Sequence, residues 1–191
     1  MYNFINRLIA LILIFIFFPI FLVVSIYLII LIGNPIIFKQ KRSGHNGKIF
    51  YLYKFRTMSE KKHKKEAQRL IKSTVFLRNL RLDEIPQLIN IIKGDLHFVG
   101  PRPLLPEYNK LYNSLQKKRL DVMPGITGWA QVNGDNNINW SKKFNLDIWY
   151  VKNRSLFLDI KIIFLTVIFV CKKIKGSKKN KLIMEKFNGK N

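Results

Sequence analysis

The sequence predicts a mainly helical α+β protein seated at a membrane through its N-terminus. Three observations carry that expectation: an apolar run from Leu8 to Ile32, stripes of apolar residues at helical spacing further along, and two β-branched and aromatic segments flanking a turn.

The apolar run is interrupted only by Pro19, Ser25 and Tyr27. As a helix rising ~1.5 Å per residue it would reach roughly 37 Å, enough for a hydrocarbon core of ~30 Å. Signal peptides have shorter apolar regions and a small-residue cleavage site, and neither is seen. Pro19 removes a backbone hydrogen bond near the middle, so a kink is expected there. A straight helix would cross the bilayer, whereas a kinked one would return to the side it entered. Periodicity leaves both open. Either way, Lys39–Arg81 is dense in Lys and Arg and holds only Glu60 and Glu66 as acids, which places it on the cytoplasmic face.

Ile36–Phe38 and Ile49–Phe55 flank Ser43-Gly44-His45-Asn46-Gly47 and read as a β-hairpin. Helices are expected over 66–77 (Ala67, Leu70, Ile71, Thr74), after Pro106 (Tyr108, Leu111, Tyr112, Leu115), and along Trp140, Phe144, Ile148 and Val151. Pro86 opens a helix ending at Lys93, with Gly94 as its stop. Pro124-Gly125 and Thr127-Gly128 form a turn into Trp129–Val132, a short strand. Ile160–Cys171 is too short to span and reads as an interfacial or core helix, followed by a lysine-rich tail.

The chain carries 34 Lys+Arg against 11 Asp+Glu, a formal charge of +23. Such an excess implies an anionic partner: a lipid surface, a nucleic acid or a phosphorylated small molecule. No nucleic-acid motif is found, and the aromatic residues of the basic hairpin do not make a convincing nucleic-acid surface. The lone Cys171 fits a reducing compartment, and His45, His63 and His97 have no zinc-ligand spacing. Gly44-x-x-Gly47-Lys48 is too short for a P-loop.

Asp83 and Glu84 fall at a helix start, where such a pair ordinarily caps. Their setting is unusual, because Arg78 precedes them and Arg102 follows in Gly100-Pro101-Arg102-Pro103. Prolines on both sides stiffen that loop, which suits a guanidinium meant for bidentate phosphate contact. Lys54 and Arg56 are further phosphate candidates, or a solvated strand face.

In combination and order, Tyr53-Lys-Phe-Arg-Thr-Met58, Leu82-Asp-Glu-Ile-Pro-Gln-Leu88, Lys93-Gly-Asp95, Val99-Gly-Pro-Arg-Pro103, Pro124-Gly-Ile-Thr-Gly-Trp-Ala-Gln-Val-Asn-Gly134 and Leu146-Asp-Ile-Trp-Tyr-Val151 are specific. The chain resembles the small monotopic phosphoglycosyl transferases, a bacterial sugar transferase family that starts glycan assembly on a polyprenyl phosphate. Its closing Glu185-Lys-Phe-Asn-Gly-Lys-Asn191 is most similar to the member initiating bacterial N-linked protein glycosylation.

The resemblance implies transfer of a sugar 1-phosphate from a UDP-sugar to undecaprenyl phosphate, releasing UMP. Asp83 would be the nucleophile, forming a phosphosugar-aspartate, with Glu84 beside it and Mg²⁺ bound near the pair. Arg78, Arg102, Pro101, Lys54 and Arg56 would serve the phosphates, and Gln131 and Asp135 the donor. The expected architecture is an N-terminal re-entrant membrane helix hairpin (1–35), a catalytic domain with a small β-hairpin and interfacial amphipathic helices (36–175), and a basic tail (176–191). That domain would face the cytoplasm on an anionic bacterial inner membrane, with no nucleic acid as partner. A UDP-diacetamido-trideoxyhexose is the implied donor, ahead of UDP-N-acetylhexosamines.

Two positions depart from the family pattern. Phe18-Pro19 replaces the common Ser-Pro break, and Gly134-Asp135-Asn136 replaces Gly-Arg-Asn, putting an anion beside an anionic donor. The rival reading is a membrane-tethered basic scaffold without catalysis, which does not need Asp83.

Overall fold

A computed structural model describes residues 2–59, 71–134, 137–174 and 186–189. The chain forms two compact units, Met1–Gln40 with Leu52–Gly94, and Lys41–Tyr51 with Asp95–Asn191. Helix α1 (Tyr2–Ile32) is followed by strands β1 (Ile37–Ser43) and β2 (Ile49–Phe55), which pair as the expected hairpin.

In the first unit α1 is long and apolar enough to cross a membrane, and Pro19 lies inside it. Asn6 and Ala10 are buried near one end, and Val24, Ser25 and Leu28 near the other. None of residues 11–23 is buried. Helix α2 (Val75–Asn79) follows a 3₁₀ turn at Lys72–Thr74. The first part of the helix expected over 66–77 lies outside the described residues. Thr74 Oγ1 anchors this segment by donating to the carbonyls of Thr57 (3.0 Å) and Ile71 (2.8 Å).

Leu82–Glu84 make another 3₁₀ turn, and helix α3 runs from Gln87 to Lys93. α1 packs against α3. Val24 and Leu28 of α1 join Phe55 and Leu77 in one apolar cluster, with Leu82 and Ile85 against it. Both ends of α1 are tied by arginines. Arg7 Nη2 donates to the Lys93 carbonyl at 3.4 Å, and Arg56 Nη2 donates to those of Ile32 (2.8 Å) and Gly33 (2.7 Å). Arg56 thus satisfies carbonyls that the end of α1 would otherwise leave unpaired. Gly94 ends α3 in the left-handed region (φ +83°), and a Cβ there would strike the Arg7 guanidinium. The left-handed conformation demands glycine, while the Arg7 guanidinium, at the end of a flexible side chain, could move aside.

The second unit holds β3 (His97–Val99), α4 (Ser114–Lys117), β4 (Gly125–Thr127), α5 (Trp129–Val132), α6 (Trp140–Asn153) and α7 (Leu156–Ile174). β3 and β4 run parallel, with His97 opposite Gly125 and Val99 opposite Thr127. Two sequence expectations are corrected here. Trp129–Val132 is helical; the strand lies just before it, where Gly125 approaches so closely that a Cβ would collide with the backbone of Gly100 and Val99. The single helix expected after Pro106 is a 3₁₀ turn (Pro106–Lys110) and then α4, because Asn113 restarts the chain with a capping box. Its apolar stripe divides accordingly: Tyr108 and Tyr112 are buried, while Leu111 and Leu115 are exposed.

The two tyrosines, Trp140, Phe144 and Leu104 build an aromatic-rich core that also takes in Phe187 from the C-terminus. Residues 175–185 and 190–191 of the basic tail lie outside the described residues. α7 turns Leu158 and Ile162 inward and leaves Phe157, Ile160, Phe164 and Val167 exposed, the pattern of a helix lying at an apolar interface.

Asp159, in the first turn of α7, accepts a hydrogen bond from Tyr150 Oη at 2.7 Å. Burial pushes its pKa up from 3.8 to about 7. The folded state therefore holds a proton that the unfolded chain releases near pH 4, so this group favours folding at low pH. Its contribution should decline between about pH 4 and pH 7 and stay lost above. The melting temperature of Asp159→Asn should lack that decline and exceed wild type at pH 8. Parallel profiles would show that Asp159 is not the group responsible.

Candidate active site around Asp83 and Glu84

The Asp83–Glu84 pair owes its geometry to a backbone feature that composition does not disclose. Arg81 adopts left-handed angles (φ 60°, ψ 17°), uncommon for a residue with a side chain, immediately before the turn that carries the pair. That turn buries both carboxylates.

Glu84 is clamped. Its Oε1 accepts from Lys54 Nζ at 2.6 Å, and its Oε2 lies 3.4 Å from Arg81 Nη1. Lys54 reaches it from β2, whose position against α3 is set when Tyr53 N–H donates to Asn90 Oδ1 at 3.1 Å. Asn90 is fully buried, and its role is not readable from the sequence, since nothing in its periodicity distinguishes it from an apolar core position. Two cations thus offset the charge of one buried carboxylate.

Asp83 is different. Among the described residues no hydrogen bond or ion pair engages its carboxylate. Burial raises its pKa and the adjacent Glu84 adds to the rise, while Lys54, Arg78 and Arg81 pull in the opposite direction. A poorly solvated carboxylate held among cations is, when ionised, suited to attack on phosphorus.

The described residues hold no cluster of three or more metal-binding side chains. Mg²⁺ needs only one or two carboxylates when substrate phosphates complete its shell. The oxygen donors are right, and Asp83 has its carboxylate to offer. Glu84 has both oxygens committed to cations.

The structure brings Asp83, Glu84, Arg78, Lys54 and Arg56 into the first unit. Lys54 is engaged with Glu84, and Arg56 with the carbonyls closing α1. In the second unit Pro101 is buried and Arg102 half-buried. The loop bearing them is fixed through four successive carbonyls. Pro101 O accepts from Gly125 N (3.1 Å), and Arg102 O from Arg119 Nη2 (2.7 Å). Pro103 O accepts from Arg42 Nη1 (3.4 Å), and Leu104 O from Ser43 N (2.9 Å). Arg119 is itself held by Asp147 Oδ2 at 2.9 Å in a buried ion pair. Burial works against its charge, but Asp147 and Tyr112 outweigh that and raise the Arg119 pKa. Asp147 sits in the Leu146–Val151 motif, yet its spacing from Arg119 gives no sign of the pairing.

Gln131 is buried, and its Nε2 donates to Ile126 O at 2.8 Å. Among the described residues its Oε1 is buried with no hydrogen-bond donor, an acceptor position a ligand hydroxyl would fill. Asp135 lies outside the described residues.

The clamp on Glu84 has a measurable consequence. In a double-mutant cycle of Lys54→Met and Glu84→Gln, unfolding in detergent should give a coupling of roughly 1–3 kcal/mol. Additive losses would mean that the 2.6 Å contact carries no net stability.

Residues 1–173 match the family model for bacterial sugar transferases. The chain is 51% identical over 163 residues to the Bacillus subtilis uncharacterized sugar transferase EpsL, covering 83% of this chain and 81% of that one. It is 36% identical over 177 residues to the exopolysaccharide production protein ExoY of Rhizobium meliloti, with 81% and 78% covered. It is also 40% identical over 149 residues to the UDP-glucose:undecaprenyl-phosphate glucose-1-phosphate transferase of Escherichia coli, covering 70% of this chain but 32% of that enzyme. The paired carboxylates thus stand within a match spanning both compact units, and the chain belongs to the bacterial sugar transferase family.

Proposed function

We propose that the protein transfers a sugar 1-phosphate from a UDP-sugar to undecaprenyl phosphate and releases UMP. The observation that carries this reading is the contrast within the pair: Glu84 is neutralised by Lys54 and Arg81, and Asp83 is buried among cations with its carboxylate unengaged among the described residues.

An Asp83 oxygen attacks the β-phosphorus of the donor. The bond from that phosphorus to the bridging oxygen breaks, UMP leaves with the electron pair, and a phosphosugar-aspartate forms. A phosphate oxygen of undecaprenyl phosphate then attacks the same phosphorus. Asp83 departs as a carboxylate, and the product is the undecaprenyl diphosphate sugar. Two steps let a water-soluble donor and a membrane acceptor use one nucleophile in turn. Arg78 contributes positive charge near Asp83, and Arg102 is assigned to phosphate by the family resemblance. Mg²⁺, held by Asp83 when the donor is bound, would neutralise charge on the diphosphate.

The re-entrant reading of α1 is supported by its two attachments to one unit. Arg7 is bonded to Lys93, and Val24 and Leu28 pack with Phe55 and Leu77. Residues 11–23 between them provide only about 20 Å of helix, short of the ~30 Å a crossing needs. Both ends then lie on the cytoplasmic side, where the basic segment after α1 belongs. For the donor, relatives are named for UDP-glucose, and the C-terminal likeness favours a diacetamido-trideoxyhexose. The donor panel must therefore include both.

Full-length protein in detergent with Mg²⁺ should release UMP from one UDP-sugar only when undecaprenyl phosphate is supplied for turnover. Asp83→Asn should lose at least about a thousand-fold in rate while remaining folded, and chelation of Mg²⁺ should abolish turnover. Folded protein that releases no UMP from any donor in the panel would favour the scaffold reading.

A further inference from the structure

Phe187 is the only apolar side chain among residues 185–191, yet only 3% of it is exposed. Its ring meets four others: Phe144 at 5.0 Å between centroids, Trp140 at 5.4 Å, Tyr108 at 5.7 Å and Tyr112 at 6.0 Å. The backbone is tied as well, since Phe187 N–H donates to Tyr108 Oη at 3.4 Å. Docking this ring orders a polar stretch of chain, an entropic cost that the aromatic contacts must exceed. Two of the four rings have a second task. The Arg119 guanidinium lies over both Tyr112 and Phe144, at 5.8 and 5.7 Å from their centroids, and its Nη1 donates to Tyr112 Oη at 3.4 Å.

We propose that Phe187 is a positioning residue for the loop carrying Arg102: it holds Tyr112 and Phe144 against Arg119, and Arg119 in turn holds the Arg102 carbonyl. The inference rests on the transfer reading for the task of Arg102, and it adds the C-terminal segment to the parts that the reaction needs. Two observations favour this role over simple core filling. Arg119 is buried, so its placement follows that of the rings it stacks on as well as that of Asp147. The contacts of Phe187 also converge on two of the points where the loop is held. One is the Arg102 carbonyl, reached through Arg119. The other is Leu104, which belongs to the same aromatic cluster and whose carbonyl accepts from Ser43 N. Interiors are close-packed, so a void left by the Phe187 ring would be filled by shifts of its neighbours, the two rings on Arg119 among them. A displacement of about 1 Å in a group that positions substrate can cost about 100-fold in rate.

The test pairs amide hydrogen exchange with kinetics on the full-length protein in detergent. The amides of Ser43 and Gly125 donate to the loop carbonyls of Leu104 and Pro101, so their exchange reports whether the loop is held. In Phe187→Ala both should exchange roughly tenfold faster, while the amides of Asn133 in α5 and of Tyr53 in the first unit keep their rates. Phe187→Leu keeps an apolar contact without the flat ring. It should show a smaller effect at the same two amides, about threefold, and carries the test if the alanine variant does not fold. With the UDP-sugar that the protein accepts, Phe187→Ala should lower kcat/KM roughly tenfold or more. It should change kcat/KM less than about twofold when Arg102 is already alanine, because the two residues then act through one contact. Unchanged exchange at Ser43 and Gly125, losses that multiply in the double variant, or an Arg102→Ala variant of undiminished rate would overturn the proposal. A protein that releases no UMP would defeat the transfer reading, and exchange at Ser43 and Gly125, read without turnover, would still decide whether Phe187 holds the loop.

Discussion

The pairing of Lys54 and Arg81 with Glu84 is the constraint around which the first unit is arranged. A buried carboxylate without cations would protonate or bring in water, and two adjacent ones would repel. Supplying both cations to Glu84 offsets one charge and leaves Asp83 unengaged among the described residues, which is why the proposed transfer uses Asp83 as its reactive member. The arrangement demands a specific backbone. Lys54 must face the pair while Tyr53 faces the opposite side of β2, and Asn90 fixes that register by accepting from the Tyr53 amide. Arg81 must adopt left-handed angles for the turn to begin where it does.

The second unit meets a related need with backbone instead of side-chain charge. Four consecutive carbonyls from Pro101 to Leu104 each accept a hydrogen bond, so the arginine loop is held throughout its length. Gly100 and Gly125 permit the close approach of the strands at its root. Arg119 carries the most demanding of these contacts, which explains why it is buried with Asp147 despite the desolvation involved. A loop fixed in this way leaves little backbone entropy at Arg102 to be lost if it binds phosphate as the proposed function requires.

Much of this is legible in the residues, and what is not has identifiable causes. Local signals hold where local physics decides. Gly94 stops α3, Pro86 immediately precedes it, and the hairpin forms around Gly44–Gly47. Sequence and structure diverge where a distant partner decides. Trp129–Val132 is helical because the strand is drawn one step earlier by the backbone of Gly100, some 25 residues upstream. Asn113 breaks the expected helix through a capping box that the apolar stripe conceals. Asp83 and Glu84 stand out as a pair, but which one is neutralised depends on Lys54 and the Arg81 backbone, and neither is encoded in spacing. Arg119 and Asp147 are separated too widely for any pattern to join them.

The central claim is that Asp83, and not its clamped neighbour, becomes covalently joined to the phosphosugar. The most direct measurement is intact mass of the full-length protein after mixing with its UDP-sugar and Mg²⁺ without acceptor, followed by peptide mapping. The account predicts a gain of one phosphosugar on the peptide carrying Asp83, at Asp83 itself, discharged when undecaprenyl phosphate is added. A protein that turns over donor and acceptor yet is never modified, or is modified at Glu84, would contradict it.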